Sequence, residues 1–188
     1  MFLEPKPGMD DLVKRCKTGQ RKAQEILYKQ FAAKMLGVCM RYATDKMEAE
    51  DMLQNGFIKV FSKIDDYRGE GSFEGWVRRI MVHSSIEYYR RHHKMIQLVD
   101  LDSSPEPTVN AAAASNLEAK DLLMLIKGLA PGYRMVFNLY AIDGYSHKEI
   151  AAMTGISEGA SKSQLSRARA ILKEQVLSFE KKRYEYAG

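Results

Sequence analysis

Basic and small polar side chains recur along the last long helical segment of the chain, where they could recognise nucleic acid. Leu165, Ala168 and Leu172 repeat at helical spacing and predict a buried stripe. The residues left largely outside this stripe are Lys162, Ser163, Ser166, Arg167 and Arg169. Side chains of these types hydrogen-bond to base edges and phosphates in a DNA major groove. The segment therefore predicts non-covalent recognition of DNA.

A shorter helix precedes this segment at the spacing of a helix-turn-helix. Ser146 and Glu149 form the Ser-x-x-Glu pattern of a capping box, so a helix should begin near His147. Gly155 favours the left-handed conformation that ends a helix, and Ser157 is placed to cap the next one. The three features together favour a helix-turn-helix over an ordinary helical hairpin with a solvated basic face.

An earlier segment, from about residue 73 to 93, also combines basic and aromatic side chains. Its apolar stripe consists of Trp76, Val77, Ile80, Met81, Ser84 and Tyr88. The opposite face consists of Arg78, Arg79, His83, Glu87, Arg90 and Arg91. Such a face can hold phosphates and stack on unpaired bases. From this helix alone, a solvated amphipathic helix explains the pattern equally well.

Glu48, Asp51 and His83 are the side chains that a metal-dependent nuclease could use. The two carboxylates are three residues apart and share a helix face. No histidine-rich or carboxylate-rich set converges on them in the sequence. His92, His93 and His147 are expected at helix ends near phosphates rather than on a metal. We therefore expect no metal and no other cofactor, and keep the nuclease only as an alternative.

Helical periodicity over the rest of the chain predicts an all-α protein. Further helices are predicted from Met9 to about Lys17, from about Gln20 to Tyr42, from about Lys46 to Ile64, from about Asn116, and from Tyr133 to Ile142. Expected core positions include Ile26, Leu27, Phe31, Met35, Met52, Leu53, Phe57, Val60, Phe61, Leu122, Leu123, Ile126, Leu129, Met135, Val136, Leu139, Tyr140 and the turn residue Ile156. Residues 65–72 contain two glycines and predict a loop.

The chain is long enough for two small domains, and its composition changes between two helical parts. Residues 96–115 carry two prolines and three acidic residues and predict a linker between domains at residues 9–95 and 116–176. The net charge of +5 suits a polyanionic partner. Cys16 and Cys39 form neither a disulfide framework nor a metal-ligand spacing. With no apolar run of membrane-spanning length and no signal-peptide pattern, a cytoplasmic location is expected.

Three sequence blocks in order resemble the extracytoplasmic-function sigma factors, the smallest members of the bacterial sigma-70 family. The blocks are EAEDMLQNGFIKVF at residues 48–61, FEGWVRRI at residues 73–80 with YYRR following, and the stretch from Pro131 to Leu172. The resemblance covers almost everything from Met9 to Val176. It implies a sigma2-like helical bundle and a sigma4-like helix-turn-helix domain. It also implies a dissociable RNA polymerase subunit that performs no covalent chemistry.

The resemblance implies a docking surface and two DNA-binding surfaces. The positions matching the surface that docks on the clamp helices of the polymerase large subunit are Glu50, Asp51, Leu53, Gln54, Asn55, Phe57 and Ile58. The loop from Arg68 to Ser72 matches the part that receives a flipped base of the minus-ten element. The implied minus-ten residues are Arg68, Gly69, Ser72, Trp76, Arg79, His83, Ser84 and Glu87, with Arg78, Arg90 and Arg91 toward phosphates. Those for the minus-thirty-five element are Lys162, Ser163, Ser166 and Arg167, flanked by Gln164 and Arg169.

The chain departs from the family pattern at a few of these places. Asn55 and Gly56 stand where an acidic and an aliphatic residue are usual, and His83 where asparagine is commoner. Ser161 stands where valine is frequent, and a serine there can bond back to a helix carbonyl. Family membership also implies an anti-sigma factor as a partner.

A self-sufficient DNA-binding regulator with an N-terminal sensing or dimerising domain is the second hypothesis. It explains the helix-turn-helix but neither the basic aromatic helix nor the acidic docking run. A regulator of this kind binds paired half-sites and leaves a twofold symmetric footprint without polymerase.

Overall fold

The computed structural model describes residues 8–92 and 119–186, and every secondary-structure element in these ranges is helical. The first range contains α1 (Met9–Lys17), α2 (Arg21–Met40), α3 (Lys46–Ser62), a 3₁₀ turn (Ile64–Asp66) and α4 (Phe73–His92). The second contains α5 (Ala119–Lys127), α6 (Pro131–Phe137), a π-helical turn (Asn138–Ile142), α7 (His147–Thr154) and α8 (Glu158–Tyr186). The all-α prediction is confirmed. The predicted linker, His93 and the predicted helix start at Asn116 lie outside the described residues.

Two compact units make up the chain, and the point that divides them lies between Ser85 and Ile86, inside α4. The core of the first unit includes the fully buried side chains of Leu12, Leu27, Met35, Met52, Val77 and Met81. In the second unit, Ile126 and Leu129 pack with Ala168 and Leu172 of α8. Each unit therefore buries its own apolar core.

Four residues expected in the core are exposed, because a neighbouring position takes the buried place. Ile26 is 40% exposed, since the buried stripe of α2 runs through Leu27 and Phe31 at a spacing of four. Leu122 and Leu123 are 42% and 47% exposed, whereas Ile126 and Leu129 face the core. Tyr140 is also exposed, and Ile156 is half-buried rather than buried.

The helix predicted from Tyr133 to Ile142 begins earlier and changes its winding. α6 starts at Pro131. The first turn of a helix tolerates proline because backbone amides there have no partner within the helix, so the missing N–H of proline costs nothing. Arg134 is buried, and its Nη1 donates to the carbonyl of Lys127 at 2.7 Å, which ties the end of α5 to α6. From Asn138 onward the backbone forms the π-helical turn. Asn138 Nδ2 donates to the carbonyl of Arg134 at 2.9 Å, across this change of winding.

Gly56 lets α3 pack directly against Met81 of α4. A Cβ atom built there would overlap the Sδ atom of Met81 and lie 2.9 Å from its Cε atom. Met81 has no exposed surface, so its side chain would have to move into a filled core. Met81 of α4 therefore occupies the space that a larger side chain at position 56 would need.

We expect Gly56→Ala to destabilise the protein, in contrast to the same change at Gly37. Overpacking costs about 1 to 3 kcal/mol, only part of which is offset by the better helix propensity of alanine, so a net loss of about 1 kcal/mol is expected. Gly37 lies inside α2 with nothing within 4 Å of a built Cβ, so Gly37→Ala should stabilise by about 0.5 to 1 kcal/mol. Urea unfolding of both variants measures the difference. A stabilised Gly56→Ala protein would show that Met81 repacks freely.

Candidate nucleic-acid and polymerase interfaces

The helix-turn-helix predicted near the C-terminus is present, with its caps formed as expected. Ser146 Oγ accepts the Glu149 amide at 3.3 Å, and Glu149 Oε2 accepts the Ser146 amide at 2.8 Å. Gly155 ends α7 with a φ of 82°, and Ser157 Oγ accepts the Ala160 amide at 3.0 Å at the start of α8. These local bonds set where both helices begin and where the first ends.

α8 presents its polar residues on the side away from the buried Leu165, Ala168 and Leu172. Lys162, Ser163 and Arg169 are exposed, and Gln164, Ser166 and Arg167 are half-buried. Lys162 pairs with Glu158 one turn earlier at 3.0 Å, in an exposed position. The structure thus leaves all six predicted minus-thirty-five residues at least partly accessible, on the helix that a helix-turn-helix inserts into the major groove.

Two arginines of α8 contact tyrosines of the preceding elements. Arg167 Nη1 donates to the hydroxyl of Tyr133 at 3.3 Å. The guanidinium carbon of Arg169 lies 5.6 Å from the ring centroid of Tyr140, within the range of a cation–π contact. Tyr133 and Tyr140 were not expected among the functional residues, because 34 and 29 positions separate them from their partners. No local pattern connects residues so distant in sequence.

Ser161 links the two helices of the motif instead of bonding back to a helix carbonyl. It is fully buried, and its hydroxyl lies 2.9 Å from Nδ1 of His147, the first residue of α7. The imidazole stacks on Tyr140, with ring centroids 4.5 Å apart. Serine in place of the usual valine therefore has a polar partner on α7, and this contact joins the two helices.

The pKa of His147 lies below its ordinary value of 6.5, mainly because the ring is partly buried. Positive charge on Lys162 and Arg169 lowers the pKa of this ring further, whereas Glu158 acts in the opposite direction. The pKa values of Glu149 and Glu158 are lowered as well, by hydrogen bonds from Ser146 and Lys162. His147 is therefore the group of this motif that titrates nearest to neutral pH.

Stability of the second unit should fall as the pH drops below 6.5, because the unfolded chain binds a proton on this imidazole before the folded chain does. His147→Gln removes this titration and should flatten the dependence between about pH 7 and about pH 5.5. The two glutamates lose their stabilising contributions only from 4.5 downward, outside this window. Urea unfolding at several pH values measures the effect. Identical slopes for both proteins would contradict it.

The acidic run on α3 divides into a buried and an exposed side. Asp51, Gln54, Asn55 and Ile58 are exposed, with Ile58 at 66%, and Glu50 is half-buried beside Lys46 at 3.3 Å. Leu53 and Phe57 are buried in the core of the unit and do not contribute to its exposed side. They occupy the helix side opposite the exposed stripe, and Phe57 packs on Tyr28.

Met47 extends this exposed side and was missed in the sequence. It is 74% exposed and stands one turn before Asp51. Asp45 caps α3 by accepting the Glu48 amide at 2.9 Å, and Glu48 in return accepts the Thr44 amide at 2.8 Å. The carboxylate of Glu48 is thus occupied by the Thr44 amide at the helix start. The exposed stripe has an apolar residue at each end, Met47 and Ile58.

The loop at residues 68–72 projects between the 3₁₀ turn and α4. Arg68, Gly69 and Ser72 are exposed, and the Ser72 hydroxyl caps α4 by accepting the Gly75 amide at 3.0 Å. Trp76 is half-buried in an aromatic cluster with Phe73 and Tyr67 at centroid distances of 5.5 and 5.6 Å. The predicted loop is therefore present and its base is apolar.

Along α4, most of the predicted minus-ten residues are accessible, but Ser84 is not. Arg79, His83, Arg90 and Arg91 are exposed, and Arg78 and Glu87 are half-buried. Ser84 has 3% exposure because it continues the buried row of Val77 and Met81, so it does not belong to the exposed face of α4. Arg91 pairs with Glu87 at 3.5 Å in the last turns of the helix.

Neither a metal centre nor a membrane span is found in the two described ranges. No three His, Cys, Asp or Glu side chains there come together as metal ligands. No helix there is long and apolar enough to cross a bilayer. The nuclease alternative based on Glu48, Asp51 and His83 has no assembled ligand set in this part of the chain.

Comparison with known proteins supplies the family. The model of sigma-70 region 2 matches residues 27–95, and that of sigma-70 region 4 matches residues 119–172. The sigma-E factor of Escherichia coli K12, an ECF RNA polymerase sigma factor, is 28% identical over 177 residues, which cover 88% of this chain and 92% of the relative. The ECF RNA polymerase sigma factor SigE of Mycolicibacterium smegmatis is 29% identical over 153 residues, covering 79% of this chain and 59% of the relative.

Solved structures with similar helices were also found. The sigma factor RpoE bound to the anti-sigma factor NepR from Bartonella quintana has a TM-score of 0.48 at 22% identity, covering 82% of this chain and 96% of that one. CnrH in complex with the cytosolic domain of CnrY has a TM-score of 0.47 at 21% identity, covering 89% and 96%. The two sigma-70 region models match in chain order and together cover more than half of the sequence. The chain therefore belongs to the extracytoplasmic-function sigma factors of the sigma-70 family.

Proposed function

We propose that this sigma factor, which directs promoter-specific initiation by RNA polymerase, works through three surfaces. The exposed stripe of α3 binds core polymerase. The loop at residues 68–72 and the exposed face of α4 bind the minus-ten element. The polar face of α8 binds the minus-thirty-five element. The observation that carries this proposal is the capped helix-turn-helix, in a chain whose earlier part also matches sigma-70 region 2.

The minus-thirty-five surface has the properties of a major-groove reader. Lys162 and Arg169 provide positive charge for phosphates, and Ser163 and Ser166 are small enough to let the helix approach base edges. The guanidinium of Arg167 can donate two hydrogen bonds at once, to the O6 and N7 atoms of a guanine. The bond between His147 and Ser161 sets the angle at which α8 enters the groove.

The minus-ten surface combines a projecting loop with cations along a helix. Gly69 and Gly71 have φ values of 80° and 81°, so the backbone turns sharply at the tip. The half-buried Trp76 stands at the base of this loop, next to Phe73. Arg79 and His83 lie on the exposed side of the following helix. A flipped base stacks well on such aromatic groups, and arginines beside it neutralise the strand.

The α3 stripe has the composition of a small protein-binding surface. Apolar Met47 and Ile58 stand at its ends, with Asp51, Gln54 and Asn55 between them. Buried apolar contacts give affinity at such interfaces, and charges give orientation toward a basic partner. We therefore assign the docking contact to Ile58 and Met47 instead of Leu53 and Phe57.

Two domains and a linker place these surfaces along the chain. We keep residues 9–95 and 116–176 as the two functional domains, with 96–115 as the linker that spans the promoter elements. The protein acts in the cytoplasm beside polymerase and carries out no covalent chemistry. An anti-sigma factor that covers one of the three surfaces is an expected partner.

Transcription in vitro from a genomic fragment library, with sigma-free core polymerase, tests the proposal. Discrete start sites with shared upstream elements should appear only when the protein is added. Variants with Ile58→Glu, Arg79→Ala and Lys162→Ala should fail at polymerase binding, promoter opening and minus-thirty-five binding respectively. Start sites that do not depend on the protein, together with a symmetric footprint without polymerase, would favour the autonomous regulator.

A further inference from the structure

α1 lies outside both segments that match sigma-70 models and has no role in the proposed function so far. The side chain of its last residue, Lys17, nevertheless contacts the 3₁₀ turn and the residue that follows it. The ammonium donates to the carbonyl of Asp65 at 3.3 Å and to that of Tyr67 at 2.9 Å. Those carbonyls stand directly before the loop at residues 68–72, so α1 holds the entrance of that loop.

Tyr67 continues this support to the far side of the loop. Its hydroxyl donates to the carbonyl of Gly71 at 2.9 Å, across the projecting residues. Its ring packs edge-on against Phe73 at 5.0 Å and lies 5.6 Å from Trp76. One residue thus connects both ends of the loop, and Lys17 fixes the backbone of that residue.

The bonds from Lys17 and Tyr67 matter because no residue of the loop is buried in the core. Residues 68–72 are all exposed and include two glycines with positive φ. A loop that is already ordered loses less entropy when it binds, so external bonds at its base improve binding without touching the ligand. The contact of Lys17 with Asp65 is exposed, and that with Tyr67 is partly buried. Water can therefore replace the ammonium at modest cost to the fold.

We propose that Lys17 is a positioning residue for minus-ten recognition, which holds the loop at residues 68–72 in the conformation that receives an unpaired base. The inference rests on the proposed function of that loop. Lys17 contacts the backbone just before the loop and no residue of the loop itself, so its effect should be confined to the step in which the base is captured.

The test compares holoenzymes of the wild-type protein and of Lys17→Met on one intact promoter and on a series of modified templates. Each modified template carries one abasic site, at a different minus-ten position of the non-template strand. On intact DNA, the variant should form open complexes with an affinity lower by about tenfold, the worth of one charge-assisted hydrogen bond. On the template that lacks the captured base, the difference should shrink to about twofold or less, because the contact that Lys17 supports is already gone.

Three controls complete the experiment. Lys17→Arg keeps a donor for both carbonyls and should restore most of the loss. Lys14→Met removes an exposed ammonium one turn earlier on α1 and should behave as wild type. The affinity for core polymerase and the melting temperature should stay unchanged in Lys17→Met.

Two results would overturn the inference. An equal loss on every template would mean that Lys17 only stabilises the unit, and no loss on intact DNA would mean that it does nothing for the loop. The wild-type protein reports separately on the underlying assignment. If the wild-type protein opens every abasic template as well as intact DNA, the loop does not capture a base. The proposed minus-ten role then fails, whatever Lys17 does.

Discussion

Ile58→Glu should strongly weaken assembly with core polymerase. Ile58 is 66% exposed on α3, at the end of the stripe formed by Asp51, Gln54 and Asn55. An exposed isoleucine among polar residues gives an interface apolar area to bury, and a glutamate in its place would be a buried charge without a partner. We expect the dissociation constant to rise by at least about thirtyfold, equivalent to about 2 kcal/mol.

The matched control is Ile26→Glu, which places the same charge on an exposed isoleucine of α2. It should leave polymerase binding unchanged. Both variants should keep the wild-type helix content and melting temperature, because neither side chain belongs to the core. Fluorescence titration of labelled sigma factor with core polymerase measures the constants. Wild-type affinity of Ile58→Glu would move the docking surface away from this stripe.

The helix-turn-helix shows what sequence reasoning can establish in detail. Capping and helix ends depend on residues three or four apart, so Ser146, Glu149 and Gly155 were sufficient to place α7. Helical periodicity likewise placed the start of α3 and both ends of α1. Local rules work here because the bonds they describe are local.

Burial at the candidate sites was predicted less well. Leu53, Phe57 and Ser84 belong to segments that resemble binding surfaces, yet all three side chains point into the core. A resemblance transfers positions along a chain, whereas exposure depends on which side of a helix the neighbouring helices cover. Met47 was missed for the same reason, because an isolated methionine at a helix start has no pattern that distinguishes an exposed from a buried side chain.

The contacts that hold the sites in place were not predictable at all. Lys17 meets carbonyls 48 and 50 residues later, and His147 meets a serine 14 residues later. These contacts exist only once the helices have packed, so no periodicity in the sequence marks them. The structure therefore adds mainly the residues behind the binding surfaces, rather than those on them.

Arg167→Ala should weaken binding to the minus-thirty-five element and relax selectivity at one of its positions. Arg167 is half-buried on α8, and its Nη1 donates to the Tyr133 hydroxyl at 3.3 Å, which restrains the guanidinium. A bidentate contact with a base is worth about 1 to 3 kcal/mol of discrimination, so a loss of about 5- to 150-fold on the preferred sequence is expected. Arg167→Lys keeps the charge but not the planar fork, and should not restore selectivity.

Tyr133→Phe distinguishes orientation from charge in this contact. It removes only the hydroxyl that receives the bond from Arg167, so we expect a smaller loss than for Arg167→Ala, confined to the same base position. Lys173→Ala, at an exposed site further along α8, serves as the control and should leave selectivity intact. Competitive binding of holoenzyme to a library randomised over the minus-thirty-five element measures all four variants. If Arg167→Ala reduced binding to every sequence equally, the side chain would contact a phosphate, and the selectivity of α8 would have to come from Ser163 and Ser166.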